Sequence, residues 1–402
     1  MGQETINSLS ARQFWSQFLS KSYTQNSFFY SSGLVKKGGE GSQGAAIIEM
    51  NELITPKGGG KASGYQITYD LEGPALQFPT AGDNPIKGKE GKLSLYSDTI
   101  QINQDRMAVI DDGKFADGLV PYEYRARARE RFSSQMWPIY FDERIIAKAS
   151  GVLGDGTWLT IDTTQPVTNA RNRNGSAASD GNNLRAPTTT ANASRIIFGN
   201  GKSNQAGLAT TDKLSLDIID AAILQAMRTD LNTAYNRLMP TLKLNGKDAF
   251  VFMADYTAIT DLNQNSADRF YDLERAKIQG GKEMSALLNF TRYVYNSPMG
   301  VDVYIVPHPR MVKFSATTTG SVKACRNLLL GHSALRVAYG RESKDLPSFS
   351  WHEETDDRGN QLVITTGVTC GIQKCAFNTD STDSGTTLQD WAVIAVDTYS
   401  NW

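Results

Sequence analysis

Four groups of residues in this chain have types and spacings that could carry chemistry. Phe198-Gly199-Asn200-Gly201-Lys202-Ser203 follows an apolar run and ends as a phosphate-binding loop does, with backbone amides to cradle phosphates and a lysine to reach them. That motif needs its first glycine at position 196, where Ile196 stands, and no helical pattern follows Ser203 directly, so the stretch reads as a glycine-rich turn. Lys57 to Lys61 fails in the same way, because Ala62 replaces the Ser or Thr. His352-Glu353-Glu354 with Asp356 and Asp357 has the composition of a metal or acid-base cluster, yet a zincin needs a second histidine at i+4 and Asp356 occupies it. A solvated charged turn is the better reading. The remaining histidines are His308, between Pro307 and Pro309 in a strand-end loop, and His332, after Gly331; both read as structural, which leaves a Ser-His-Asp or Cys-His pairing few places. Cys370 and Cys375 fall on a strand-like run with side chains on opposite faces, so sharing a metal would need a bulge, and buried small thiols are the expectation. The sequence therefore predicts no catalytic residue, no cofactor and no metal.

Composition bounds the class. With 402 residues, 40% hydrophobic and 21% charged, the chain can bury sizeable cores and lies well outside the disordered range. It is long enough for two or three domains, or for one extended subunit with arms. The 41 Lys and Arg are matched by 42 Asp and Glu, so no net positive field exists to neutralise phosphates, which argues against a dedicated nucleic-acid binder. Three cysteines, an odd number without metal-ligand spacing, suit a reducing compartment and folding in a cytoplasm. No run approaches the roughly 18 apolar residues that span a bilayer, and the N-terminus lacks a signal-peptide pattern. Met1-Gly2 invites a myristoylation reading, but Ile6 stands where Ser or Thr is required.

The elements that would position these residues follow from periodicity. Phe14, Trp15, Phe18 and Leu19 sit at helical spacing in a polar run and predict a short amphipathic helix seeking a partner surface. The glycines at 38, 39 and 41 and at 58 to 60 then make residues 1–62 an arm with little core of its own. Tyr65, Ile67, Tyr69 and Leu71 alternate as a half-buried strand does, and a second strand-like run extends from Leu93 to Ile110. The glycine- and proline-rich link between them, with Leu76, Phe78 and Ile86 as its few apolar residues, is too long for a tight turn. A projection of this kind, spanning 63–112, is expected to lie on another subunit.

From Pro121 to Ser150 the period changes to 3.6. Ala128, Phe132, Met136 and Tyr140 form one row, Trp137, Phe141 and Ile145 the next, and Arg125, Arg129 and Glu143 the opposing face; Pro138 predicts a kink or break. Arg125, Arg127, Arg129 and Arg131 form a basic run that would touch nucleic acid or, equally, an intersubunit salt-bridge face. Residues 162–194 are too poor in large apolar side chains to order themselves by burial and read as a surface excursion. A helix from about Ser215 to Leu238 faces a core through Leu216, Ile219, Ile223 and Met227. Strands at Ala249 to Met253 and Val301 to Val306 alternate with helices near Tyr256 to Leu262 and Ala267 to Lys277. Gly331 and Gly340 punctuate a further strand-like pair, and Gln361 to Phe377 and Trp391 to Thr398 close the chain as strands. The class is α+β.

In its order of elements, the chain resembles the Hong Kong 97-type fold of tailed-phage capsid proteins. In sequence it resembles the N-four-like podovirus major capsid family through Gly64-Tyr65-Gln66-Ile67-Thr68-Tyr69, Met107-Ala108-Val109-Ile110 and, above all, Val120-Pro121-Tyr122-Glu123-Tyr124-Arg125-Ala126-Arg127-Ala128-Arg129. Gly331-His332-Ser333-Ala334-Leu335 and Ala392-Val393-Ile394-Ala395-Val396-Asp397-Thr398 fit the same pattern, which runs from about Phe14 to Thr398 and leaves only 162–194 unmatched.

The resemblance implies a major capsid protein that self-assembles into hexamers and pentamers of an icosahedral shell around double-stranded DNA, without sequence-specific binding and without a membrane. It implies an N-terminal arm at 1–62, an extended β loop at 63–112, and a spine helix with peripheral domain and surface excursion at 113–194. An axial domain at 195–340 would follow, and C-terminal strands at 341–402 would return to the peripheral domain. Phe14, Trp15, Phe18, Leu76, Phe78, Ile86, Arg125 and Arg129 are the expected subunit-interface residues. A portal protein, scaffolding or decoration proteins and assembly in a bacterial cytoplasm complete the implied setting. The alternatives are another self-assembling virion component, such as a tail-tube or encapsulin-like protein, and, on the Gly199 to Ser203 loop and the His352 cluster, a hydrolase or nucleotide-binding enzyme.

Overall fold

A computed structural model describes residues 8–37, 45–50, 53–54, 65–70, 82–83, 95–100, 102–111, 124–152, 184–189, 194–227, 241–244, 247–265, 285–315, 322–341, 348–356, 360–378 and 388–400. The chain opens with α1 (Ser8–Asn26) and α2 (Phe28–Ser31), followed by β1 (Val35–Lys37), β2 (Ile47–Glu49) and β3 (Leu53–Ile54). A hairpin of β4 (Tyr65–Asp70) and β5 (Leu95–Ile100) precedes β6 (Asn103–Ile110). The spine consists of α3 (Tyr124–Arg131), a π-helical turn (Phe132–Met136) and α4 (Trp137–Ser150). Next come β7 (Ile196–Phe198), α5 (Leu216–Met227), β8 (Leu242–Leu244), β9 (Lys247–Ala254), α6 (Tyr256–Asn265) and α7 (Ser285–Phe290). Strands β10 (Tyr293–Asn296), β11 (Asp302–Pro307), β12 (Val312–Ser315), β13 (Lys323–Leu330) and β14 (Leu335–Arg341) follow. The last elements are β15 (Phe349–Asp356), β16 (Gln361–Lys374), β17 (Ala376–Asn378), β18 (Leu388–Asp390) and β19 (Val393–Tyr399).

Most of these strands form two large sheets, and β17 and β18 pair as a separate two-stranded one. The eight-stranded sheet runs β10-β11-β9-β13-β19-β7, with β12 on β13 and β8 on β9. Its centre, Phe250 to Ala254 and Val303 to Val306, is buried residue by residue, as a strand covered on both faces must be. The seven-stranded sheet runs β1-β2-β14-β16-β15, with β3 on β14 and β6 on β16. Here β15 alternates, Phe349 and Trp351 inward and Ser350 and His352 outward, the pattern of a sheet with one face on a core. One apolar cluster runs through both sheets and the helices between them. The hairpin β4–β5 forms a two-stranded sheet of its own.

Several expectations change. The run from Leu93 to Ile110 is two strands, because β5 pairs with β4 while β6 pairs with β16. The division expected at residue 341 falls at the end of β14, which belongs with β16 in the seven-stranded sheet. The closing strand β19 does not return to that sheet; it lies between β13 and β7 in the eight-stranded one. The first half of the expected arm is packed into the common core, where Leu19, Phe29, Leu34 and Ile47 are buried. Part of the expected surface excursion is strapped to the body: the Arg185 guanidinium donates to the Lys374 carbonyl at 2.9 Å, and the Thr188 hydroxyl accepts from the Asp390 amide at 3.1 Å. The helix at 267–277 and the second half of the one at 215–238 lie outside the described residues.

Candidate assembly interface

The two sheets are joined by the spine. In α4 every side chain from Trp137 to Ser150 is buried except Ile139, which is half-buried, so the helix has no solvent face. Its apolar rows, expected from spacing, bury Trp137, Tyr140, Phe141 and Ile145. Glu143, expected on the opposing face, is buried as well. The reason is tertiary: Arg310 from the eight-stranded side reaches its carboxylate at 2.6 Å.

The helix is fastened on both sides. Toward the seven-stranded sheet the Trp137 indole donates to Thr366 Oγ1 at 2.9 Å, and Arg144 pairs with Asp105, which also accepts from the Tyr140 hydroxyl at 3.2 Å. Toward the eight-stranded sheet, Arg326 grips Asp397 through two bonds of 2.7 Å and donates at 2.8 Å to the Ser150 carbonyl at the helix C-terminus. A cation there satisfies an orphan carbonyl and complements the helix dipole. Burial raises the Asp397 carboxyl, and Arg326 opposes that shift. Gly151 ends the helix at φ 71°; a Cβ at this position would lie 2.0 Å from the Arg185 carbonyl oxygen, so both backbone and space demand glycine.

The expected break near Pro138 is a π-helical turn just before it. Pro138 lacks the amide that would continue the ladder, and the Ser133 and Ser134 hydroxyls both donate to the Glu130 carbonyl, at 3.2 and 2.6 Å. The helix widens there and resumes with Pro138 in its first turn.

The N-terminal helices dock on this spine. Tyr23 packs edge-on against Phe141 with centroids 4.9 Å apart, and its hydroxyl meets that of Tyr339 at 3.1 Å. Tyr339 also meets the Tyr30 hydroxyl at 2.8 Å, and Tyr30 donates to Glu49 at 2.9 Å. Asp142 accepts from the Ser27 hydroxyl at 2.7 Å and the Phe28 amide at 3.0 Å, capping α2 from the spine; burial pushes its carboxyl up to about 6 against the pull of those bonds.

The expected interface residues therefore divide. Phe14 and Phe18 point outward, 59% and 42% exposed. Trp15 turns to its own chain, lying 6.0 Å from Trp351 between ring centroids. The Arg129 guanidinium sits 3.5 Å over the Trp15 ring, and Arg125 pairs with Glu353 at 3.1 Å. Leu76, Phe78 and Ile86 lie outside the described residues.

The residues examined for chemistry are dispersed. Gly199–Gly201 is a short 3-10 turn with Asn200 at φ 53°, Lys202 lies 4.0 Å from Asp212, and α5 begins only at Leu216. His352 is on β15, where a turn was expected; it lies 3.9 Å from Glu354 two residues on, on the same strand face. His308 is buried against Phe28, with ring centroids 4.7 Å apart, and burial with the nearby Arg310 pushes it down to about 3. Cys325, Cys370 and Cys375 are buried free thiols, and burial raises Cys370 to about 11. Among the described residues no three His, Cys, Asp or Glu side chains gather in a metal-binding group, and no helix is long and apolar enough to cross a membrane. Lys57 to Lys61 lies outside the described residues.

The fold defines the class first. Over nearly its whole length the chain resembles subunits of phage heads. Against the capsid of Ralstonia phage GP4 the TM-score is 0.71 at 24% identity, covering 94% of this chain and 92% of that one. For the capsid asymmetric unit of cyanophage Pam1 it is 0.62 at 16% identity, covering 100% and 99%. For the head of Helicobacter pylori bacteriophage KHP40 it is 0.58 at 13% identity, covering 94% and 91%. No curated protein sequence matches the chain. The family follows from the sequence: the phage capsid protein family model matches residues 5–402, and the chain belongs to that family. Its function is that of the major capsid protein of a tailed phage, a structural component of the virion.

Proposed function

We propose that this capsid protein is of the N-four-like podovirus type and carries the Hong Kong 97-type layout. In that layout residues 1–62 form the arm, 63–112 the extended β loop, and 113–194 the spine with the peripheral domain and excursion. The axial domain would be built on 195–340, with 341–402 contributing strands to both large sheets. Copies associate into hexamers and pentamers, which close into an icosahedral shell around double-stranded DNA. A portal protein occupies one vertex, scaffolding or decoration proteins attach to the lattice, and assembly takes place in the bacterial cytoplasm. The protein performs no catalysis.

One observation carries this reading beyond the family match: the hairpin β4–β5 pairs with no third strand among the described residues. Ile100 anchors the base of the ribbon in the core, and beyond that base a two-stranded ribbon is marginally stable in water, so a neighbouring copy is its natural support. The compact body, by contrast, is fastened through α4 and can pass unchanged from one lattice position to another. Individual contacts need only standard area, on the order of 1,200 to 2,000 Å², because each subunit makes several.

Deleting residues 74–90 tests the reading. The variant is expected to be a soluble, folded subunit that forms no shells in negative-stain electron microscopy. Normal particles from it would refute the loop assignment, and tubes from the intact chain would point to a tail-type component.

A further inference from the structure

The outer end of the spine carries charge of one sign on one side and of the opposite sign on the other. In α3 the arginines at i, i+4 form two rows. Arg125 and Arg129 lean on their own chain, at Glu353 and Trp15. At about 100° per residue, Arg127 and Arg131 stand roughly 160° around the helix from Arg129 and so face away from Trp15 and β15. Both are exposed, the Arg127 side chain to 63%; its acidic neighbour Glu130 at 3.4 Å is itself 66% exposed.

The opposite sign lies on β15. Alternation sends Phe349, Trp351 and Glu353 toward α1 and the spine, and Ser350, His352, Glu354 and Asp356 to the other face, all four exposed. The register places Glu354 opposite Val363 and Val363 opposite Ile110, and puts Asp356 in the neighbouring row. Ile110 is 54% exposed, so this end of the sheet face has an apolar centre with carboxylates beside it. On the same face of β6, Arg106 is in the row of Gly367 and Ser350, about 13 Å back along the strands. Because the arginine row and the carboxylate row face opposite ways from one subunit end, they cannot meet within a chain.

We infer that the Arg127–Arg131 row of one copy docks on the Glu354–Asp356 end of the next copy, with Ile110 at the centre of the contact. The contact is heterologous, so it propagates head to tail and closes where the rotation closes. Complementary charge at exposed positions sets register and encounter rate and excludes a like-charged approach. This inference rests on the shell reading and names the surfaces by which copies meet.

Charge exchange tests it. Arg127→Glu with Arg131→Glu, and separately Glu354→Lys with Asp356→Lys, are each expected to raise the critical concentration for assembly about tenfold or more in sedimentation velocity, with the thermal melt unchanged. Combining all four changes in one chain is expected to restore closed particles in electron microscopy. Arg127→Gln with Arg131→Gln should give a smaller rise and serves if the reversed chain folds poorly. Assembly of the single-face variants at the wild-type concentration overturns the contact while leaving the shell reading intact. So does loss without restoration, and so does normal assembly with impaired DNA retention, which would assign the arginine row to a polyanion. A wild-type chain that forms no closed particle overturns the shell reading, and this contact with it.

Discussion

In the eight-stranded sheet Phe250, Val251, Phe252 and Met253 are all buried, so consecutive residues pointing to opposite faces find cover on both, whereas in the seven-stranded sheet Trp351 is buried and His352 is exposed. The two sheets thus meet solvent differently. The first is a closed core, whose strands need nothing from outside the chain. The second, along β15, β16 and β6, keeps one face on the spine and presents the other, which is where a shell subunit has material for its neighbours. Between them α4 belongs to both, and its buried ion pairs supply the contacts that apolar packing alone would leave free to slide.

Breaking the spine's grip on the closed core should have the largest effect. Arg326→Ala leaves the buried Asp397 carboxylate and the Ser150 carbonyl without their partner. The expected loss is about 3 to 5 kcal/mol, the cost of an uncompensated buried charge, measured by urea unfolding. A smaller loss than from Trp351→Ala on the other sheet would contradict the closed-core picture.

Acid should act through His308, which is buried at the junction of α2 with the core. Its folded value lies near 3 against an ordinary 6.5, so the unfolded chain takes up a proton that the folded chain refuses. Its contribution is therefore complete above pH 6.5 and is lost as pH falls toward 3, by about 1.4 kcal/mol per pH unit. Asp142, raised to about 6, works in the opposite sense: its buried charge costs stability above that pH and the cost is relieved by acid. His308→Gln is expected to flatten the acid limb of a stability curve recorded from pH 7 to 4; an unchanged slope would show that this histidine does not govern it.

Trp137→Phe removes the indole donor to Thr366 while keeping most of the packing. We expect a loss of about 1 to 2 kcal/mol, with the Thr366 hydroxyl left buried. Thr365→Ala, one residue along on the open face, should change stability by no more than about 0.5 kcal/mol. If it costs as much as Trp137→Phe, the face is not open.

Much of the spine was legible beforehand. The rows through Ala128, Phe132, Trp137 and Phe141 are a property of spacing, and those residues are buried. So were the strands at 249–253 and 301–306 and the core face of α5, because runs covered on both sides are apolar throughout. The candidate interface was less so. Phe14 and Phe18 could be picked by type, but nothing local distinguishes them from Trp15, which is taken up by Arg129 and Trp351 from distant positions. Spacing sets Arg125 and Arg129 on one face of α3 and Arg127 and Arg131 on another, while the face that meets the rest of the chain follows from Glu353 and Trp15 at distant positions. Spacing sets Glu143 on the face opposing the apolar rows, and its burial depends on Arg310, a partner 167 positions away.

By itself the sequence determined the apolar rows of the spine helix, the strands at 249–253 and 301–306 and the kinship with phage capsids, since these depend on neighbours within a few residues or on motifs read in order. The tertiary structure alone decided that β5 and β6 part company, that β19 enters the eight-stranded sheet and that α4 is buried on every side. Strand partners and ion pairs join positions far apart in the chain, and their energies exist only once folding has brought those positions together.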